Sequence, residues 1–426
     1  MAAARLGAEC VFASEIDETL RGHYQNNFGL TPEGDIRQIR PQDVPSHDLL
    51  CAGFPCQPFS KAGEQSGFRD RVRGTVLFNL LEILRAARPK YLILENVPHF
   101  IRHKGGKTYK VLTSALEALG YSVDAMELSP HQFGIPQVRW RMFLVGQLKA
   151  LDSFNWPTPT HDVSEVDIDC VLDRQPDDAL PLSRQAIRCI ELWQEFLQRF
   201  PRDKKLPSFP IWSMEFGATY PVDRDSLSRV PLSDLRRRRG SFGQPLDYSR
   251  RAAILPLVPS HARATEGAFP RWKQTFIRQN RDLFDEHRKW IAPWISRVKT
   301  LPPSLQKCEW NCQGERRDIW RYILQFRASG LRIKRRNTAP SLVAMTTTQV
   351  PIIGWEKRFM SIRECSRLQD LGSLQSLPCG AAGFKALGNA VCAGVATQVL
   401  SSLCGQRNKT KKSSSRIASI QVAYAG

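Results

Sequence analysis

An α/β fold, with a mainly parallel sheet and a separate irregular region inserted late in the chain, is what the sequence predicts, on three observations. Up to about residue 150, short β-type runs alternate with helical patterns, the mark of βαβ units. From about Leu151 to Ile333 the alternation dissolves into Pro-, Arg- and Trp-rich sequence. After that, Ser361 to Leu371 again reads as an amphipathic helix, and Ala386 to Leu400 begins with a Gly-Asn turn before another helix.

Taken in order, five strands are expected at Cys10 to Ser14, His47 to Gly53, Tyr91 to Val97, Ser122 to Leu128 and Arg141 to Gly146. Between them Thr19 to Phe28, Val76 to Arg88 and Tyr109 to Leu119 carry apolar residues at three- and four-residue spacing, as helices packed on a sheet require. Arg141 to Gly146 closes this half. The expected division is 1–150 for an α/β domain, 151–333 for a recognition domain, 334–404 for a segment returning to the first domain, and 405–426 for a basic tail. Its Lys and Ser content predicts disorder.

A length of 426 residues suffices for two domains with their own cores. The formal charge of +20, gathered in runs such as Arg236 to Arg239 and Lys334-Arg335-Arg336, points to a polyanionic partner. Tryptophan among arginines suits base stacking beside phosphate contact, although tryptophan in such a region also serves as core. Eleven scattered cysteines form neither a disulfide framework nor a zinc site, since Cys308 and Cys312 have no second ligand pair near them in sequence. No metal is expected. With no apolar run of spanning length and no signal peptide, the expectation is a soluble, cytoplasmic protein.

The stretch Ala52-Gly53-Phe54-Pro55-Cys56-Gln57-Pro58-Phe59-Ser60 follows the apolar run Leu49-Leu50-Cys51. A strand that stops at Gly53 and turns through Pro55 leaves Cys56 at a strand's carboxyl end, where open α/β sheets bind ligands. A thiolate there is a nucleophile; a free cysteine is also a small hydrophobe. The loop alone leaves both open.

Four further pieces narrow the choice: Gly34-Asp35-Ile36, Glu95-Asn96-Val97, Gln137-Val138-Arg139-Trp140-Arg141 and Gly388-Asn389-Ala390-Val391. In this order and spacing the chain resembles the DNA cytosine-5 methyltransferases, over roughly residues 5 to 150 and 335 to 400. The resemblance implies a Rossmann-like sheet of the S-adenosylmethionine-dependent methyltransferase type with a separate target-recognition domain. It implies that Cys56 adds to carbon 6 of cytosine, because carbon 5 is otherwise too poor a nucleophile. Glu95 would polarise the ring at N3, which needs a raised pKa. Arg139 and Arg141 would hold the flipped base and the active-site loop, and Asn96 would orient that loop.

For S-adenosylmethionine, the resemblance gives Glu15 to the ribose hydroxyls, Ile16 to the adenine face and Asp35, with Ile36, to the adenine amino group. Pro55, Val76, Asn389 and Val391 complete the matched wall. Double-stranded DNA is the implied partner, with extrusion of the base costing a few kcal/mol. Ser60 to Arg73 resembles the loop that closes over the base, with Lys61, Arg69, Arg71 and Arg73 for phosphates. A restriction-modification system, with a cognate endonuclease, is the implied setting.

The family's opening strand and Phe-x-Gly-x-Gly-Gly turn have no counterpart ahead of Met1 to Gly7. That strand lies at the centre of such a sheet, and losing several buried aliphatic side chains at about 1.5 to 3 kcal/mol each removes as much as a domain has to spare. The polypeptide is therefore expected to be unstable or inactive alone. A start codon placed too far downstream is favoured over gene decay or a second subunit supplying the strand. Two rivals stay open: an inactive remnant that only binds DNA, and an RNA cytosine methyltransferase.

Overall fold

The computed structural model describes residues 1–54, 76–223, 227–263, 267, 269–343 and 347–405, and the backbone of 416–421. The chain divides into two units. Unit 1 is Met1–Asp178, Asn337–Thr347 and Ser361–Gly426; unit 2 is Ala179–Arg336 and Thr348–Met360.

In unit 1 the strands are β1 Glu9–Ser14, β2 Leu49–Gly53, β3 Tyr91–Asn96, β4 Tyr121–Leu128, β5 Arg141–Leu148 and β6 Arg416–Gln421. They form a sheet of order β1-β6-β2-β3-β5-β4. The first four are parallel, and β5 runs antiparallel to β3 and β4. Because helices cover both faces, the inner strands are near-continuous apolar runs, and Leu50, Leu92, Leu94 and Leu144 are all fully buried.

The sequence signals act locally. Helix α1, Glu18–Phe28, starts where the Asp17 carboxylate accepts the Thr19 and Leu20 N–H groups and stops at Gly29, whose φ of 72° closes the end. Helix α2, Val76–Ala87, turns Leu77, Leu80, Leu81, Ile83 and Leu84 inward, and α3, Lys107–Ala118, buries Leu112 and Leu116. These pack on one face with Phe54 and Phe100. On the other face, Leu49, Ile93 and Val145 meet Val395, Val399 and Leu403 of a late helix. Each expected strand and helix of this half is present within three residues of its predicted bounds.

Sheet packing is tight at Gly146, which faces Leu92 across the β3–β5 ladder. A Cβ there would stand 2.8 Å from the Leu92 Cγ. Gly146→Ala is expected to lower stability by about 1–3 kcal/mol, read as a shifted urea midpoint with an unchanged slope.

Two expectations need correction. The stretch 386–400, which follows helix α4, Ile362–Arg367, is not a turn followed by one helix: α5, Gly380–Asn389, ends with Gly388 and Asn389 inside it, and α6, Ala393–Cys404, begins after three intervening residues. Ala390 is extended, and the Arg139 guanidinium takes the Gly388 and Ala390 carbonyls, so the chain leaves the helix without stranding them. This break also divides the apolar stretch 380–404, the one described stretch long and apolar enough to cross a membrane by composition; half of its most apolar window is buried in the unit. Second, the 405–426 segment is not wholly structureless, because residues 416–421 form β6 between β1 and β2. Apart from Ser419, the Lys and Ser that suggested disorder precede Arg416, and a strand seated between two parallel neighbours satisfies its backbone on both sides, which composition does not report.

Unit 2 has, among the described residues, a second six-stranded sheet. Lys307–Trp310, Gly330–Lys334 and Ile323–Arg327 lie at its centre, and two-residue strands flank them. Helices Arg184–Arg199 and Arg271–Val298 cover it. The region holds more regular structure than its sequence suggested, since strands of two to five residues are too short to show a period. Its tryptophans are mainly core: Trp193 and Trp294 are fully buried, with ring centroids 5.1 Å apart, and each indole N–H donates to a main-chain carbonyl at 3.0 Å. Trp272, by contrast, is 56% exposed. Cys308 and Cys312 are buried thiols; among the described residues no group of three His, Cys, Asp or Glu is placed to hold a metal ion.

Candidate active site

The parallel part of the sheet in unit 1 brings the carboxyl ends of β1, β2 and β3 to one edge: Ser14 is level with Ile420, Gln421 with Gly53, and Gly53 with Glu95. The carboxyl ends of parallel strands are where open α/β sheets bind ligands.

Glu95, near the end of β3, is 7% exposed. Gly53 on the neighbouring strand leaves room for it; a Cβ there would lie 3.6 Å from the carboxylate Oε2. Arg141, at the start of β5, places Nε 3.0 Å from Oε1. Burial drives the Glu95 pKa above the usual carboxylate range, and the Arg141 and Arg139 charges oppose that shift without cancelling it. The result is a carboxylic acid that keeps its proton to higher pH than an exposed one.

Next to it, Asn96 is fully buried. Its Nδ2 donates to the Phe54 carbonyl at 2.9 Å, and its Oδ1 accepts the Val97 N–H at 2.8 Å. Phe54 packs edge-on against Phe100 with centroids 5.3 Å apart. The backbone is thus pinned one residue before Pro55. Pro55, Cys56 and the segment Ser60 to Arg73 lie outside the described residues. Asn96→Ala removes the tie to Phe54 and leaves that carbonyl without its buried amide donor; an expected loss of about 1–3 kcal/mol would be read as a shifted urea midpoint.

Arg139 is 3% exposed and faces inward. Its guanidinium donates to the carbonyls of Leu342 at 2.6 Å, Gly388 at 2.8 Å and Ala390 at 3.1 Å. It fastens two late segments to the strand edge, with Gln137 beside it donating to the Leu368 carbonyl at 2.6 Å. Gln369 adds to this frame by donating to the Leu387 carbonyl at 2.8 Å and accepting the Ala393 N–H at 2.9 Å through its own carbonyl. Nothing in the sequence marked Gln369, a polar residue near a helix end.

A cavity of ≈ 330 Å³ opens at this edge, and Glu15, Gly53, Glu95, Asn389 and Val391 all border it, with apolar walls that include Leu20 and Leu371. Glu15 is 5% exposed, accepts the Asp17 N–H at 2.9 Å, and has its pKa raised by burial. Ile16, 45% exposed, lies just outside. Asp35, Ile36 and Val76 do not border the cavity. Arg37 Nε sits 2.9 Å from both Asp35 oxygens and holds that carboxyl below its ordinary pKa. Ile36 is 2% exposed among Phe12, Val44 and Leu77, and Val76 is half-buried at the start of α2. An apolar pocket with a few convergent polar groups and perturbed carboxyls is the pattern of a small-molecule site.

Comparison with known proteins agrees with this geometry. Residues 1–220 match the family of C-5 cytosine-specific DNA methylases. The chain is 42% identical over 236 residues to the Type II methyltransferase M.HaeII of Haemophilus aegyptius, covering 55% of this chain and 69% of that one. It is 27% identical over 475 residues to the Type II methyltransferase M.AluI of Cellulosimicrobium cellulans, covering 94% and 88%. With the Type II methyltransferase M.MspI of Moraxella sp the likeness is 43% over 163 residues, covering 38% of this chain and 39% of that one.

Proposed function

The chain belongs to the C-5 cytosine-specific DNA methylase family, and on that premise we propose that it transfers a methyl group from S-adenosylmethionine to carbon 5 of a cytosine flipped out of double-stranded DNA. The observation that carries this reading is the buried, proton-retaining Glu95, one strand away from the Gly53-Phe54 backbone that leads into Cys56.

The residues at the cavity fit the methyl donor. Glu15 is a buried acceptor for ribose hydroxyls, Asn389 and Val391 border the same space, and the walls are otherwise apolar. Bound there, S-adenosylmethionine supplies an electrophilic methyl group on a sulfonium centre. Ile16, an exposed aliphatic side chain at the rim, offers a face to the adenine ring. Asp35 and Ile36 act through the turn they build, which is tied to β1 by the Ser14 hydroxyl donating to the Gly34 carbonyl at 2.7 Å.

On the substrate side, the Cys56 thiolate forms a bond to carbon 6 of the cytosine while Glu95 gives its proton toward N3, so the ring's electron density moves to carbon 5. After carbon 5 has accepted the methyl group, its proton leaves to water, the sulfur departs as thiolate and the N3 proton returns to the Glu95 carboxylate, which restores the neutral aromatic ring. Arg141 beside Glu95 stabilises the carboxylate left behind. Unit 2 supplies the DNA-reading surface: Arg236 to Arg239 are exposed, and Trp272 presents an indole face. In the cytoplasm, such an enzyme protects host sites from a cognate restriction endonuclease.

The direct test is DNA carrying 5-fluorocytosine, whose fluorine cannot leave as a proton does. The chain is expected to give a denaturant-stable protein–DNA adduct in the presence of S-adenosylmethionine, and Cys56→Ala none. An intact wild-type protein that yields no adduct and leaves no new bisulfite-resistant cytosines in a methylation-free host overturns the proposal.

A further inference from the structure

Strand β6 lies between the two halves of the donor site. β1 leads into Glu15 and β2 leads toward Cys56, yet β1 and β2 do not pair with each other: β1 pairs with β6, and β6 with β2. Among the described residues β6 is the sheet strand paired with β1; the remaining bridge of β1, Ser14 with Glu33, runs to a loop. With strands spaced about 4.8 Å apart, the separation of Glu15 from Gly53 and Glu95 is therefore set by whether residues 416–421 are in place. These six residues follow α6 after an eleven-residue connection, 405–415, rich in Lys and Ser.

We propose that β6 is a docking strand whose insertion between β1 and β2 assembles the donor-binding edge, so that strand insertion and donor binding are coupled. This rests on the donor reading of the cavity given above. The strand-in state holds Glu15 opposite Gly53 and Glu95. Withdrawal frees β1, α1 and Glu15 from the sheet. A ligand that bridges Glu15 and the β2–β3 edge binds the inserted state alone, and by linkage it must stabilise insertion as much as insertion strengthens its binding.

The test uses the full chain with S-adenosylhomocysteine as probe, followed by hydrogen exchange and calorimetry. Adding the probe is expected to slow exchange of residues 416–421 and 9–14 together, at least 10-fold. Ser419→Pro, which removes a ladder N–H from β6, is expected to weaken probe binding at least 10-fold. The register gives a second check, since residue 419 stands opposite Cys51. Ser419→Cys should form a disulfide with Cys51 under copper–phenanthroline oxidation, mapped by peptide mass spectrometry, with a yield that rises on adding the probe; Ser413→Cys should not. Probe binding that is unchanged in Ser419→Pro, or a cross-link that forms out of register or with a yield indifferent to the probe, overturns the coupling while leaving the donor reading intact. A wild-type chain that does not bind the probe at all removes both.

Discussion

Glu95→Gln is expected to lower methyl transfer by about 10²–10⁴-fold, the range for losing a positioned general acid, while leaving donor and DNA binding close to wild type. Glutamine keeps the size and a hydrogen bond for Arg141 but has no proton of suitable acidity to give. The pH dependence follows from the direction of the shift. Burial raises the Glu95 pKa, so the protonated acid persists above the ordinary carboxylate range, and activity that needs it falls as pH climbs through the raised value. Arg141 opposes the shift; in Arg141→Met the alkaline limb should therefore move to higher pH, whatever happens to its height. Stability carries the same sign: between the unfolded and the raised folded pKa the native state binds more protons, so this contribution is complete at low pH and is lost as pH rises. A pH–rate profile of kcat for the wild type and both variants checks the rate loss and the two limbs, and urea midpoints over the same pH range check the stability. An alkaline limb that stays in place in Arg141→Met, or a Glu95→Gln enzyme within a few-fold of wild type, would contradict the assignment.

Arg139→Met should be strongly destabilising. It leaves the carbonyls of Gly388 and Ala390 without their buried donor, and that of Leu342 with the Ser341 hydroxyl at 3.3 Å. Each unsatisfied group costs about 1–3 kcal/mol, reduced where water enters, so a total of about 3–5 kcal/mol is expected. Urea denaturation reads the loss, and calorimetry with S-adenosylhomocysteine should show weaker binding, because the released segment carries Asn389 and Val391 to the cavity. Lysine, a single point donor without the planar fork, should recover only part of it. A loss under about 1 kcal/mol would mean that water replaces the guanidinium at no cost. Arg139, two residues ahead of the start of β5, holds backbone carbonyls, and Arg141 at that start meets the Glu95 carboxylate.

Much of unit 1 was legible because its signals are local. Tyr91 to Asn96 is an unbroken apolar run that ends in Glu95-Asn96; Asp17 and Gly29 mark the ends of α1; Leu77, Leu80, Leu81 and Leu84 repeat at helical spacing. The strand bounds read from sequence placed Glu95 near the end of one strand and Arg141 at the start of another, where the two side chains meet; Cys56 lies outside the described residues. Asp35, Ile36 and Val76 were harder. A glycine followed by an acid at a turn looks the same whether its side chain borders a cavity, pairs with Arg37 or caps a short helix.

Two things were beyond the reach of local pattern. In unit 2, tryptophans such as Trp193 and Trp294 went to the core and Trp272 to the surface, a choice made by what each meets after folding. The same holds for residues 416–421, a short run after a Lys- and Ser-rich stretch that composition marks as loose. Propensity and periodicity report which faces a segment can bury, and they were enough for the α/β class and the order of strands along the chain. Which segment enters the gap between β1 and β2, and which donors Arg139 spends on residues two hundred positions away, depends on backbone groups that find partners only once distant parts of the chain have met.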